Sequence, residues 1–361
     1  MAGHRQQFVD TLARYPHLAK LLNRKAFVEK WSVGDPLYCG HDLAWWIHNG
    51  DLVDAAEILA TLDRVIGNVV DLPGLAAKLT DVREDPEWTW GHLVELYTIS
   101  SLVDAEAAFT LPASGADLGL IFNNQPFALE ITCLRRARWF PRLHERLGML
   151  GDRMSVEFDY AIEPTTHQHF DERAQTSAAL RRVLDRLNEQ ITDNLRSGLI
   201  SGLATVGQYG FSTEWRKVYE PQWLGGGGPR KPNELFGAKL VMDAVRKKAR
   251  QLPSGRAGCV LVDATNDEGG HVKAIQRRMS TIDWAEFCHD IPEEAKHVLV
   301  CAFSAKTGRP TLYAHLERTE SPYSTPDGFG ELLDKLFRHE PASVPQWWTD
   351  LSDLATLAAE E

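Results

Sequence analysis

The stretch ADLGLIFNNQPFALEITCLRR, residues 116–136, sets Asp117 and Glu130 in an otherwise apolar segment. Asn123-Asn124 at its middle suits both positive-φ positions of a two-residue turn. Folding about that turn pairs Phe122 with Gln125, Leu120 with Phe127, Leu118 with Leu129, and Asp117 with Glu130. A symmetric four-residue loop gives the same pairing. Opposite residues share a face, with Cβ atoms roughly 4.5–5.5 Å apart. One face is then Leu118, Leu120, Phe122, Phe127, Leu129 and Ile131, a core face. The other holds Asp117, Gly119, Ile121, Ala128, Glu130 and Thr132, small side chains around two facing carboxylates. Such a pair destabilises a sheet unless a cation lies between its members or one is protonated. Oxygen donors at that spacing suit Mg²⁺ or Mn²⁺. The hairpin alone is equally compatible with two side chains at an exposed sheet edge that do no chemistry.

Two further ionisable groups are expected to point inward. Glu95 lies on the helical stripe Trp88, His92, Glu95, Ile99, Leu102, and an inward Glu needs a partner. A neighbouring Arg or backbone group would also serve. Lys248 and Gln251 lie on the stripe Gly237, Val241, Ala244, Lys248, Gln251, whereas Arg246, Lys247 and Arg250 fall off it. A core-facing Lys is costly unless it meets carboxylates or an anion; the alternative is a Lys that snorkels past the helix end.

The elements that must position these groups follow from periodicity and punctuation. Residues 4–85 read as helices, separated by Pro16, Pro36 and Pro73. A helix at about 87–108 precedes the hairpin. Beyond it come an Arg-rich helical segment RRARWFPRLHERLGML, strand-like MSVEFDYAIE, the amphipathic helix TSAALRRVLDRLNEQITDNLRSGL and one or two strands in SGLATVGQYGFSTEWRKVYE. The loop QWLGGGGPRKPN lacks the G-K-[ST] ending of a phosphate-binding loop. A helix from 234 leads to AGCVLVDAT, a buried strand, then strands at KHVLVCAFS and RPTLYAHLE and a last helix from about 327. WAEF and the C-terminal QWWTDLSDLATLAAEE read as packing segments. Alternating helices and strands, with strands concentrated after residue 109, predict an α/β core behind an N-terminal helical region.

Composition sets the outer limits. Hydrophobic content of 43% and charged content of 25% over 361 residues are those of a globular protein. The start reads as no signal peptide and no apolar run spans a bilayer, so a cytoplasmic protein without membrane association is expected. The five cysteines are scattered and never form C-x-x-C, which argues against a disulfide scaffold or zinc ribbon. His167-Gln168-His169 lacks a third nearby ligand and reads as a polar loop. The net charge of −11 is uneven: residues 131–260 hold 21 Lys and Arg against 14 Asp and Glu, a local +7. A basic middle between acidic flanks fits a localised anionic partner.

A Glu-bearing helix, a hairpin with Asp and then Glu, and a later helix with Lys-x-x-Gln resemble the PD-(D/E)XK nuclease superfamily. Ala116 stands where the family's proline would be, and Thr132 replaces the lysine of Glu-x-Lys. The resemblance implies a restriction-endonuclease-like αβββαβ core. Its parts would be helix 87–108, strands near 109–112, 117–122 and 127–133, helix 234–252 and strand 258–264. The expected organisation is a helical region over 1–85, an α/β domain over 86–320 with an insertion at about 140–233, and a C-terminal helical extension over 321–361. By the same resemblance Asp117, Glu130 and Glu95, with the Ile131 carbonyl, would hold Mg²⁺ or Mn²⁺. Lys248 would stand in for the missing lysine, with Gln251 and Thr132 orienting water or phosphate.

The implied activity is metal-dependent hydrolysis of nucleic acid phosphodiesters, DNA more than RNA, in a restriction or defence setting. Arg135, Arg136, Arg138, Arg142 and Arg146, interleaved with Trp139 and Phe140, would grip the nucleic acid backbone; a solvated Arg-rich helix with its aromatics in the core is the competing reading. The N-terminal helices would serve a homodimer or partner protein. Thr132 leaves open a catalytically degenerate module that binds nucleic acid or a protein. Overall acidity leaves open an unrelated interaction protein with incidental hairpin charges.

Overall fold

The computed structural model describes residues 2–22, 24–85, 89–112, 116–133, 135–159, 177–209, 211–218, 234–264, 291–318 and 321–337. The chain divides into two compact units. The first is drawn from Met1–Val33, His41–Leu134 and Leu235–Glu361, the second from Gly34–Gly40 and Arg135–Glu234. The N-terminal helices therefore belong to the same unit as the main sheet. The fold is mixed α/β, with a mixed sheet behind N-terminal helices.

In the first unit, helices α1 (Ala2–Ala13), α2 (Pro16–Leu21), α3 (Arg24–Trp31), α4 (Asp42–His48), α5 (Val53–Val69) and α6 (Ala76–Glu84) precede α7 (Thr89–Asp104). α5 buries Ala55, Leu59, Leu62, Val65, Ile66 and Val69, one stripe at helical spacing. α7 is buried nearly all round; Gly91, His92 and Glu95 make up its least buried side. It ends four residues short of the expected 108. Glu106 adopts φ 55°, and the Glu106 and Ala107 N–H groups donate back to the Val103 and Leu102 carbonyls. That left-handed stop satisfies the last carbonyls of the helix.

The sheet runs β1 (Phe109–Thr110), β2 (Leu118–Phe122), β3 (Gln125–Cys133), β7 (Gly258–Asp263), β8 (Ala295–Phe303), β9 (Pro310–Glu317). β3 is antiparallel to β2 but parallel to β7, and β7 is parallel to β8. Every residue of β7 is buried, as a central parallel strand covered on both faces requires. The hairpin has the expected register: Leu118 faces Leu129, Leu120 faces Phe127, and Asn123 and Asn124 sit at φ 48° and 65°. Helix α10 (Glu234–Ala249) leads into β7, and α11 (Phe329–Leu336) follows β9.

The second unit packs α8 (Arg135–Met154) and α9 (Ser177–Arg196) on a sheet of order β4-β6-β5 (Val156–Asp159, Phe211–Lys217, Ser201–Val206). Its core holds Leu143, Leu147, Leu150, Val183, Leu184, Leu187, Phe211 and Trp215. The His167-Gln168-His169 segment, the four-glycine loop, WAEF and the C-terminal segment lie outside the described residues. Among the described residues no helix is long and apolar enough to cross a membrane.

Candidate active site

Three elements of the first unit converge on one cluster. Asp117 immediately precedes β2, whose first pair is Leu118 with Leu129, and Glu130 is the next residue along β3. Lys248, on the last turn of α10, donates to Asp117 Oδ2 at 2.9 Å and to Glu130 Oε2 at 3.0 Å. Asp117 Oδ2 also accepts the Ile131 N–H at 2.8 Å, so the carboxylate continues the ladder where β2 has not yet begun. Glu130 is 1% exposed and sits in the sheet opposite Val260 of β7.

The charges do not cancel. Two carboxylates share one ammonium, and burial together with the nearby Asp117 pushes the Glu130 carboxyl up to about 7, against the opposing pull of Lys248. For Lys248, burial works to strip the proton, but Asp117 and Glu130 together outweigh it and raise its pKa, so the side chain stays charged. Glu130 Oε1 is buried and has no hydrogen-bond partner among the described residues. An acceptor left unpaired inside the protein is costly, and a cation would satisfy it.

Asp117 and Glu130 offer oxygen donors of the kind that Mg²⁺ or Mn²⁺ takes. Such an ion is commonly held by one or two carboxylates, with water and phosphate completing its shell. Asp117 and Glu130 are two carboxylates that could serve in this way. Glu95 does not join them: it is ion-paired with Lys78 of α6, and no group of three or more His, Cys, Asp or Glu able to hold a metal occurs among the described residues. On the stripe of α7 through Glu95, His92 and Glu95 are half-buried while Ile99 and Leu102 are fully buried. The more buried side carries Trp90, whose indole N–H donates to Asp263 at 2.7 Å. Asp263 pairs with Cys133 across the sheet, and strand alternation puts both on the face opposite Glu130.

Gln251 is also corrected. α10 stops at Ala249, and Gln251 is exposed in the following turn, with its N–H on the Lys248 carbonyl at 2.9 Å. It is not on the packing side of a helix. Thr132 is half-buried and shares the Glu130 face by alternation. Arg146 is 1% exposed and donates to the Cys39 carbonyl at 2.9 Å, so it serves the interior of the second unit and not a surface. The side chains of Arg135, Arg136, Arg138 and Arg142 lie outside the described residues.

Sequence reasoning passed over Asp263. Fully buried at the end of β7, it accepts from Trp90, from the Cys133 thiol at 3.1 Å and from the Phe303 N–H at 3.3 Å. The signal was present: a carboxylate closing an otherwise apolar strand must find buried donors.

No family model matches the sequence, and no curated protein or solved structure matches the chain.

Proposed function

We propose that the protein is a divalent-metal-dependent nuclease that hydrolyses phosphodiester bonds of DNA, or less readily RNA, on a restriction-endonuclease-like αβββαβ core. The observation that carries this reading is Lys248 reaching both Asp117 and Glu130 from a separate helix. The order α7, β1, β2, β3, α10, β7 supports it, as does a second unit lying between β3 and α10, where the insertion is expected. The net basic middle of the chain, with 21 Lys and Arg against 14 Asp and Glu over residues 131–260, favours an anionic substrate.

Asp117 and Glu130 would hold the ion. When bound, the ion supplies a water of lowered pKa and neutralises charge on the phosphate. Lys248, freed from its two hydrogen bonds to the carboxylates, would stand beside the phosphoryl oxygens where negative charge grows. Thr132, on the same face, would orient water or phosphate through its hydroxyl. A cytoplasmic setting, a defence role and a partner for the N-terminal helices belong to the same proposal; Val33, Leu52 and Val53 are exposed apolar side chains in that region.

One observation favours a second reading. Lys248 already neutralises part of the pair, and Thr132 leaves no lysine in Glu-x-Lys to replace it, which suits a degenerate module that binds without cutting. Cleavage of single- and double-stranded DNA and RNA with Mg²⁺ or Mn²⁺ separates the two. The active reading expects metal-dependent cutting, reduced by about 10²-fold or more in each of Asp117→Ala, Glu130→Ala and Lys248→Ala. Salt-sensitive binding with no cutting of any substrate would establish the degenerate module. Cutting that survives loss of both carboxylates would overturn this site.

A further inference from the structure

We propose that β5 in the second unit is a pairing edge for a second copy of this chain. β5 lies at the end of the order β4-β6-β5. The Ile200 carbonyl accepts the Lys217 N–H at 2.7 Å, so residue 200 turns its backbone toward β6. Thr205 turns away: its N–H and carbonyl are both taken by the Gln190 side chain of α9, at 3.0 and 2.8 Å. Alternation then directs the backbone groups of Ser201 and Leu203 outward as well. Among the described residues neither has a bonding partner there, so two donors and two acceptors line the open edge.

Edge strands usually carry a device against such pairing: a charge, a proline or extreme shortness. Among the described edges, β1 has two residues, β4 carries Glu157 and Asp159, and β9 begins at Pro310 and ends at Glu317. β5 reads SGLATV and has none of these. Instead it is flanked by exposed apolar side chains, Leu199 at 50%, Ile200 at 57% and Leu203 at 62%. The charges of that sheet face, Glu214 and Arg216, stand one strand in, on β6. Alternation sends Ile200 to the face opposite Leu203, so exposed apolar side chains border the edge on both faces.

The occupant that fits is an identical strand. A two-fold axis at Gly202 sets Ser201 of one copy opposite Leu203 of the other, antiparallel. Both residues of each copy then exchange N–H and C=O, giving four backbone hydrogen bonds without disturbing the Gln190 clasp on Thr205. Leu203 and its symmetry mate become diagonal neighbours on one face. Gly202 brings no side chain to the axis, and a Cβ there would meet Trp215, on the inner face.

Light scattering and sedimentation of the full chain across a concentration series test this. A dimer dissociating in the micromolar range is expected, as a small interface gives, with the Leu203 amide gaining hydrogen-exchange protection at high concentration. Leu203→Lys places two like charges across the axis and should weaken the dimer by about tenfold or more. Ser201→Pro removes an outward N–H that β6 does not use, a position where proline is tolerated, and should do the same. Leu203 is exposed, so Leu203→Lys decides alone if the proline variant misfolds. A chain that stays monomeric throughout, or a dimer that Leu203→Lys leaves intact, overturns the proposal.

Discussion

Glu130 holds one carboxyl oxygen against Lys248 and buries the other without a partner among the described residues. Burial, reinforced by Asp117, lifts its titration from 4.5 to about 7. Between those values the folded protein keeps a proton that the unfolded chain has released. This group's contribution to stability therefore falls as pH rises through that window and is lowest above it. Glu130→Gln is neutral at every pH, so its stability relative to wild type should be greater at about pH 8 than at about pH 5, by urea unfolding of both proteins. A difference independent of pH would mean that Glu130 ionises as freely in the fold as in the open chain. Asp117, Glu130 and Lys248 were legible because two short-range rules, the turn and the helical stripe, each fix a direction. Glu95 misled because a helix buried on most of its circumference has no single inward face to read. Arg146 could have been found: it shares a stripe with Leu143, Leu147 and Leu150, all of which are core.

Whole elements follow the same division between local and non-local causes. The β2–β3 hairpin was legible to the residue because Asn123 and Asn124 sit at φ 48° and 65°, values that few side chains tolerate. Asn124→Val should destabilise the first unit by about 1–2 kcal/mol through backbone strain alone, whereas Asn124→Gly should be neutral or stabilising. Both substitutions leave Asp117 and Glu130 in place, so urea midpoints should shift without loss of whatever the site binds. A valine variant as stable as wild type would mean that the turn has reorganised. Helix ends were harder. α9 stops where Gly198, at φ 82°, lets the Leu199 N–H reach the Asn194 carbonyl, a signal the glycine gives plainly. α7 stops at Glu106 in the same geometry, and no glycine marks it. α10 ends at Ala249, and the helical stripe had been carried two residues too far, to Gln251.

At the scale of the molecule, periodicity supplied the α/β class and the family resemblance implied the insertion, but neither says which strands are neighbours. β3 bonds to β7 across the whole second unit, and nothing in either strand's own sequence encodes that partner. Grouping also escaped the sequence, since the N-terminal helices separate from the strands in composition yet share their unit. The two units make a mutational contrast. Leu187 is fully buried in the core of the second, and Leu187→Ala should cost that unit about 2–5 kcal/mol. Hydrogen exchange should then accelerate in α9, β5 and β6 while β3, β7 and β8 keep their protection. Equal acceleration in both would show that the units open together.

Vectorial synthesis makes the separation of β3 from β7 consequential. The β2–β3 hairpin emerges early and can form at once, but two strands alone are barely stable. The next neighbour of β3 begins at Gly258, so all of the second unit leaves the ribosome first. During that interval the free side of β3 offers unpaired backbone groups beside Leu129 and Ile131, an edge that other nascent chains can join. How long the main sheet stays vulnerable is set by the length of the insertion and the speed of translation through it.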